Sequence, residues 1–120
     1  MASSGVKGWD RIVQATDCSW KGLKAVFRYE EAFRQELFLL ITMTPVALWL
    51  GETGVERALL VGCLVFVLIV ELLNSAVEAA IDRFGTEYHE LSGRAKDMGS
   101  AAVMLSLTNA GIIWSLIVLF

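Results

Sequence analysis

Apolar residues fall into four stretches separated by short polar breaks, and the stretches differ in pattern. Over 6–28 the period is helical: Trp9, Ile12, Val13, Thr16, Trp20, Leu23 and Phe27 share one face, and Lys7, Asp10, Gln14, Lys21 and Arg28 the other. A helix with aromatics on its apolar side and lysines opposite is suited to lie in the plane of a membrane surface. Packing on a soluble domain is the alternative, but no such domain is present for it to cover. The stretch 33–50 is apolar beyond Glu36 and contains Pro45, which removes one backbone hydrogen bond and is expected to bend a helix there. Gly51, Glu52, Thr53 and Gly54 then read as a tight connection. The stretch 58–81 exceeds the ~20 residues that a hydrocarbon core of about 30 Å requires, and 98–120 is also long enough to cross. Between them, 82–97 is rich in Glu, Arg, Ser and Gly and is expected to be an exposed loop or helical extension. The expected fold is an all-α integral membrane protein of one domain, with an N-terminal amphipathic surface helix and three transmembrane helices.

The third stretch breaks its own pattern. Glu71, Asn74, Ser75, Glu78 and Asp82 follow one another at spacings of three and four, so on an α-helix they form one narrow stripe. Carboxylates deep in a lipid-facing segment are expensive, and sequences keep them where they pair, relay protons, bind ions or do chemistry. In the fourth stretch Ala102, Ser106 and Ala110 make a small-xxx-small series, which lets transmembrane helices approach closely.

Composition agrees with the pattern. The 120 residues are 56% hydrophobic, with a mean hydropathy of +0.60. That is the profile of a small integral membrane protein. The net charge of -3 and the scattering of basic residues argue against a nucleic-acid partner. Cys18 and Cys63 sit in segments of different character, which argues against a disulfide, and a zinc site would lack soft ligands. The start of the chain lacks the apolar core and cleavage site of a signal peptide, so it is expected to be retained. Lys7, Arg11, Lys21, Lys24, Arg28 and Arg34 precede the first span, Arg57 alone marks the first connection, and Arg83, Arg94 and Lys96 follow the second span. The positive-inside rule therefore places the N-terminus and the 82–97 segment in the cytoplasm. The stripe would open toward the cytosol, with Glu71 about 15 Å below Asp82 at ~1.5 Å per residue.

Oxygen ligands such as Glu78 and Glu30 suit Mg²⁺, which takes few protein groups and fills its shell with water and phosphate. Lys96 offers a point charge for phosphate where the polar segment returns to the membrane. Together with Glu71 as a partly desolvated proton acceptor, these groups suit phosphoryl transfer, where positioning and charge neutralisation dominate. No GxxxxGK[ST] pattern occurs, so a nucleotide site would be built differently from a P-loop. Each residue also has a plainer reading. Intramembrane carboxylates serve proton-coupled exporters, Asn74 and Ser75 can hydrogen-bond between helices, and Lys96 can anchor a helix end. The sole histidine, His89, can be a solvated loop residue, and Trp9, Trp20 and Trp49 can be interfacial belt residues.

Two runs carry a resemblance. Glu71-Leu-Leu-Asn-Ser-Ala-Val-Glu-Ala-Ala-Ile-Asp82 resembles the signature of the prokaryotic diacylglycerol kinases, and Glu87-Tyr-His-Glu-Leu-Ser-Gly-Arg-Ala-Lys-Asp-Met-Gly-Ser100 resembles their second block. The similarity extends to Ser19-Trp-Lys-Gly-Leu23 and Glu31-Ala-Phe-Arg-Gln-Glu36 and is nearer the Gram-negative branch than the undecaprenol kinases. It implies a homotrimeric helical bundle in the bacterial inner membrane, with shared active sites at the cytoplasmic interface. It also implies transfer of the γ-phosphate of MgATP to diacylglycerol in the bilayer, giving phosphatidic acid. On that resemblance Glu71 is the general base and Asn74 supports it, while Glu30 and Glu78 hold Mg²⁺ beside the ATP phosphates. Arg11, Cys18, Glu87, His89, Lys96 and Asp97 border the nucleotide, and Trp20, Arg34, Gln35, Trp49 and Ser100 join Glu71 along the lipid groove. Cys18 stands where that family usually has a tyrosine, so a thiol would line the pocket without a ring to stack on adenine. Rival readings are an undecaprenol kinase with the same catalytic groups, a small proton-coupled exporter, and a non-enzymatic scaffold subunit.

Overall fold

A computed structural model describes residues 7–85 and 87–120, and every element among them is helical. The order is α1 (Trp9–Tyr29), α2 (Glu31–Leu50), α3 (Gly54–Asp82) and α4 (Glu90–Leu119). The chain divides into two compact units, one ending at Glu31 and the other running from Ala32 to Phe120. The expected start of the first helix at Val6 lies outside the described residues.

In the first unit α1 is a continuous helix of 21 residues. Trp9, Ile12, Val13, Trp20, Leu23 and Phe27 are all exposed on it. Lys21 pairs with Asp17 one turn earlier at 3.0 Å, and that carboxylate holds the ammonium above the ordinary lysine range. Its C-terminal residue boundary is closed by the Glu30 N–H donating to the Val26 carbonyl at 2.9 Å.

In the second unit three helices, α2, α3 and α4, are long and apolar enough to cross a membrane. The helix α2 continues through Pro45. Its turn into α3 depends on Gly51, which is buried; a Cβ there would lie 2.6 Å from Arg57 Cγ and 3.2 Å from the Ala47 carbonyl oxygen. Arg57 itself donates from Nε to the Leu48 carbonyl at 3.1 Å, tying the two helix ends together. The helix α3 starts at Gly54 because Thr53 caps it: Thr53 Oγ1 accepts from the Glu56 N–H at 3.1 Å, while Glu56 accepts from the Glu52 N–H at 2.9 Å.

The tightest helix pair is α3 with α4, packed antiparallel. Cys63, Leu64, Val67 and Ala110 form a buried cluster with Leu40, Met43, Ile113 and Trp114 around it. The helices approach closely where α4 carries small side chains: Ser106 is 2% and Ala110 7% exposed, whereas Ala102 faces outward. Ser106 Oγ turns back on the Val103 carbonyl at 2.7 Å, and Trp114 donates to the Leu60 carbonyl at 3.1 Å. In lipid these contacts act through packing and hydrogen bonding, since hydrocarbon is as apolar as leucine.

The segment 82–97, expected as an exposed loop or a helical extension, is helical from Glu90. His89 caps α4 through Nδ1, which accepts from the Leu91 N–H at 3.1 Å, and Glu90 pairs with Arg94 at 3.5 Å. Leu91, Ala95 and Met98 recur here at helical spacing, but Leu91 and Met98 are exposed, so the period is short and buries little. At ~1.5 Å per residue, α3 with 29 residues and α4 with 30 are each longer than a ~30 Å core. Their surplus is polar and lies at one end, where the C-terminus of α3 meets the N-terminus of α4.

Candidate functional site

The polar stripe of α3 turns toward protein. Glu71 is 6% and Ser75 8% exposed, and Asn74 and Glu78 are half-buried. Asn74 links the row: its Nδ2 donates to Glu78 Oε1 at 3.0 Å, one turn along the helix. Its Oδ1 lodges against Gly99 of α4, where a Cβ would run into it. Glycine at 99 is therefore what admits the Asn74 amide between the two helices. Among the described residues, Asn74 Oδ1 and Glu36 Oε2 are buried without a hydrogen-bond partner.

Glu36, on the first two turns of α2, lies close enough to Glu71 for the two carboxylates to repel each other. It also edges an apolar cleft of about 310 Å³ walled by Leu39 and Met43 of α2, Leu64 and Val67 of α3, and Leu107, Ala110 and Trp114 of α4.

At the end of the stripe, Asp82 is exposed, closes α3 and meets Lys96 of α4 with Nζ 2.7 Å from Oδ1. Lys96 stands in the polar turns of α4, ahead of the apolar run. The Asp82 carboxylate holds its ammonium above the ordinary lysine range, with a smaller push from Glu78. The pair borders a cleft of about 400 Å³ lined by Ile81, Asp82, Glu87, Tyr88, Ser92 and Lys96.

Glu87 and Lys96 thus line one cleft at the end of the second unit, while Glu78, Asn74 and Glu71 lead away from it along α3, Glu71 about 15 Å deeper by helical rise. Asp97 and Ser100 are exposed on α4 nearby, and His89 has its Nδ1 engaged as a cap. Arg34 and Gln35 stand on the first turns of α2, half-buried and exposed respectively, but Trp49 lies at the other end of that helix, ~22 Å away by helical rise, and is 82% exposed. Arg11, Cys18, Trp20 and Glu30 belong to the first unit, where Arg11 and Trp20 are exposed and Cys18 and Glu30 half-buried. Among the described residues neither cysteine forms a disulfide.

The comparison with known proteins covers this whole arrangement. A model of the family described as prokaryotic diacylglycerol kinase matches residues 17–118. The chain belongs to that family. It is 48% identical over 115 residues to the diacylglycerol kinase of Escherichia coli strain K12, spanning 96% of this chain and 94% of the relative. The diacylglycerol kinase of Haemophilus influenzae is 48% identical over 113 residues, covering 94% and 96% of the two chains. That of Pseudomonas aeruginosa is also 48% identical, over 115 residues. As a prokaryotic diacylglycerol kinase family member, the chain contributes three residues to this end of the molecule that the sequence did not single out. Gly99 extends the small series 102, 106, 110 by one turn, which was its signal. Glu36 is the lone carboxylate at the head of an apolar stretch. Tyr88 lines the Lys96 cleft, and its ring lies 3.8 Å from where a Cβ at Gly93 would stand.

Proposed function

We propose that the chain is an ATP-dependent diacylglycerol kinase of the bacterial inner membrane, transferring the γ-phosphate of MgATP to the free hydroxyl of diacylglycerol to give phosphatidic acid. Membership of the family, with relatives of that name matched over nearly their full length, carries the reading. The geometry supplies a way for it to work. Glu71, screened from solvent at lipid depth, takes the proton of the acceptor hydroxyl as its oxygen bonds to the γ-phosphorus and the bond to the ADP oxygen breaks. The apolar cleft beside Glu36 gives an acyl chain a place near that carboxylate. Lys96 and Glu87, at the rim of the polar cleft, face the nucleotide, with Arg11, Cys18, His89 and Asp97 completing its surroundings. Trp20, Arg34, Gln35, Trp49 and Ser100 border the lipid.

The donor set suits Mg²⁺. Asn74 fixes one oxygen of Glu78 and leaves the carboxylate a second to offer, and among the described residues no three His, Cys, Asp or Glu side chains converge. A cation here takes one or two carboxylates and completes its shell with water and phosphate oxygens, the habit of Mg²⁺ rather than zinc. Glu78 and Glu30 would hold it, and when bound it neutralises charge on the phosphates.

The chain also reads as a homotrimer with shared sites, its N-terminus and polar end in the cytoplasm, and α1 lying along the membrane surface. The distribution of basic residues supports that orientation. Two buried polar atoms, Asn74 Oδ1 and Glu36 Oε2, support completion of the site by substrate or a neighbouring copy, because a buried polar group normally has a partner. The test is phosphorylation in detergent or bilayers with labelled ATP, offering diacylglycerol and undecaprenol in parallel. Labelled phosphatidic acid is the expected product. Preference for undecaprenol, or transport activity with no phosphorylated lipid, would overturn the proposal.

A further inference from the structure

Asp82 is the last residue of α3, and an acidic side chain there faces the negative end of the helix dipole. The last turn of α3 supplies no basic residue to offset it. The cation comes instead from α4, fourteen residues on, where Lys96 Nζ sits 2.7 Å from Asp82 Oδ1. Glu78 draws on the same ammonium more weakly from one turn deeper, and Glu87 stands in the wall of the cleft that the pair borders. Both partners are half-exposed, at 43% and 63% of their side-chain surfaces, so the pair adds little to the stability of the fold. A structural purpose accounts poorly for it.

A lysine side chain is long and flexible, and its ammonium carries three N–H donors with no preferred direction. A carboxylate fixed on a helix end, accepting one of those donors, selects where the other two point. We propose that Asp82 is a positioning residue, holding Lys96 at the rim of the cleft so that its remaining N–H groups meet an incoming phosphate. This rests on the reading of Lys96 as the phosphate contact. In this role Asp82 acts on the phosphate through Lys96, although its own carboxylate also lines the cleft. When phosphate oxygens arrive, the ammonium accommodates both, since a lysine can donate to two acceptors of like charge at once.

The experiment is steady-state kinetics of the full chain in mixed micelles for the unmodified protein, Asp82→Asn, Asp82→Glu, Lys96→Met and the double variant Asp82→Asn/Lys96→Met. MgATP and diacylglycerol are varied in turn. Asp82→Asn should raise KM for MgATP about two- to fivefold, the scale a half-exposed ion pair supplies, and leave KM for diacylglycerol unchanged. Asp82→Glu should recover part of the loss, and the double variant should be no worse than Lys96→Met, because Asp82 has no role once its partner is gone. An unchanged or lowered KM for MgATP in Asp82→Asn, or losses that add in the double variant, would overturn the proposal. An unchanged KM for MgATP in Lys96→Met would instead remove Lys96 from the phosphate site, and the underlying reading would fall with it.

Discussion

Glu71 and Glu78 stand two turns apart on one helix yet have different surroundings, and the difference suits the different tasks proposed for them. Glu71 is screened from solvent and sits near a second carboxylate, Glu36, whereas Glu78 is half-buried and held by the Asn74 amide. A desolvated carboxylate is a stronger proton acceptor, and an oriented one a better ligand. Glu71→Gln keeps the size of the side chain and removes its basicity. It should lower kcat by about 10²- to 10⁴-fold, the span that general-base catalysis supplies, while equilibrium binding of a non-transferable ATP analogue stays unchanged. Near-normal turnover would dismiss Glu71 as the base. Glu78→Ala should raise the Mg²⁺ concentration needed for half-maximal nucleotide binding by about tenfold or more. A titration that superimposes on that of the unmodified protein would remove Glu78 from the metal. The stripe containing both residues was legible from spacing alone, because a 3.6-residue period and five polar side chains in an apolar run leave few other arrangements. Glu36 was not, because a single carboxylate at the head of a span looks the same whether it faces a headgroup or a partner.

At the level of helices, the sequence revealed what the apolar period could reach and little beyond it. Three crossing helices follow from length and hydropathy, and the Ser106 and Ala110 positions in the α3–α4 contact follow from the small-residue spacing. The first two turns of α4 were legible only as one of two alternatives, loop or helical extension, since Glu90, Arg94 and Lys96 outnumber their apolar residues and the cap is formed by His89. The consequence reaches the site, because those turns carry Lys96 back beside Asp82. The contact of Gly99 with Asn74 is likewise tertiary, and only packing of α3 on α4 makes it. Gly99→Ala tests that contact. The added methyl would displace the Asn74 amide and break its hold on Glu78, while alanine favours the helix itself. The two effects separate: thermal unfolding should change little, and phosphorylation should fall about three- to tenfold, the worth of one hydrogen bond. Equal activity would show that Asn74 orients nothing through this contact.

Across the whole molecule, the three spans of one copy leave much apolar surface uncovered. Phe38, Ile41, Leu105 and Leu116 are each more than half exposed. Lipid can cover such side chains, but it cannot satisfy Asn74 Oδ1 or Glu36 Oε2, which lack partners among the described residues. In the proposed assembly a neighbouring copy would cover part of this surface, and the proposed metal pair gives such association a kinetic signature. Glu30 belongs to the unit that ends at Glu31, and Glu78 to the unit that follows. If neighbouring copies share each site, with Glu30 from one and Glu78 from the next, then Glu30→Gln and Glu78→Gln subunits are inactive alone but complement when mixed. In an equal random mixture a site is intact when each contributing copy carries the unmodified residue it supplies, which happens for about one site in four in a closed ring. Unfolding and refolding the mixture together should therefore restore about a quarter of normal activity, whereas mixing already assembled variants should restore none. Activity that stays at the level of the separate variants after joint refolding would mean that each copy builds its metal site from its own residues, and the shared site would be discarded.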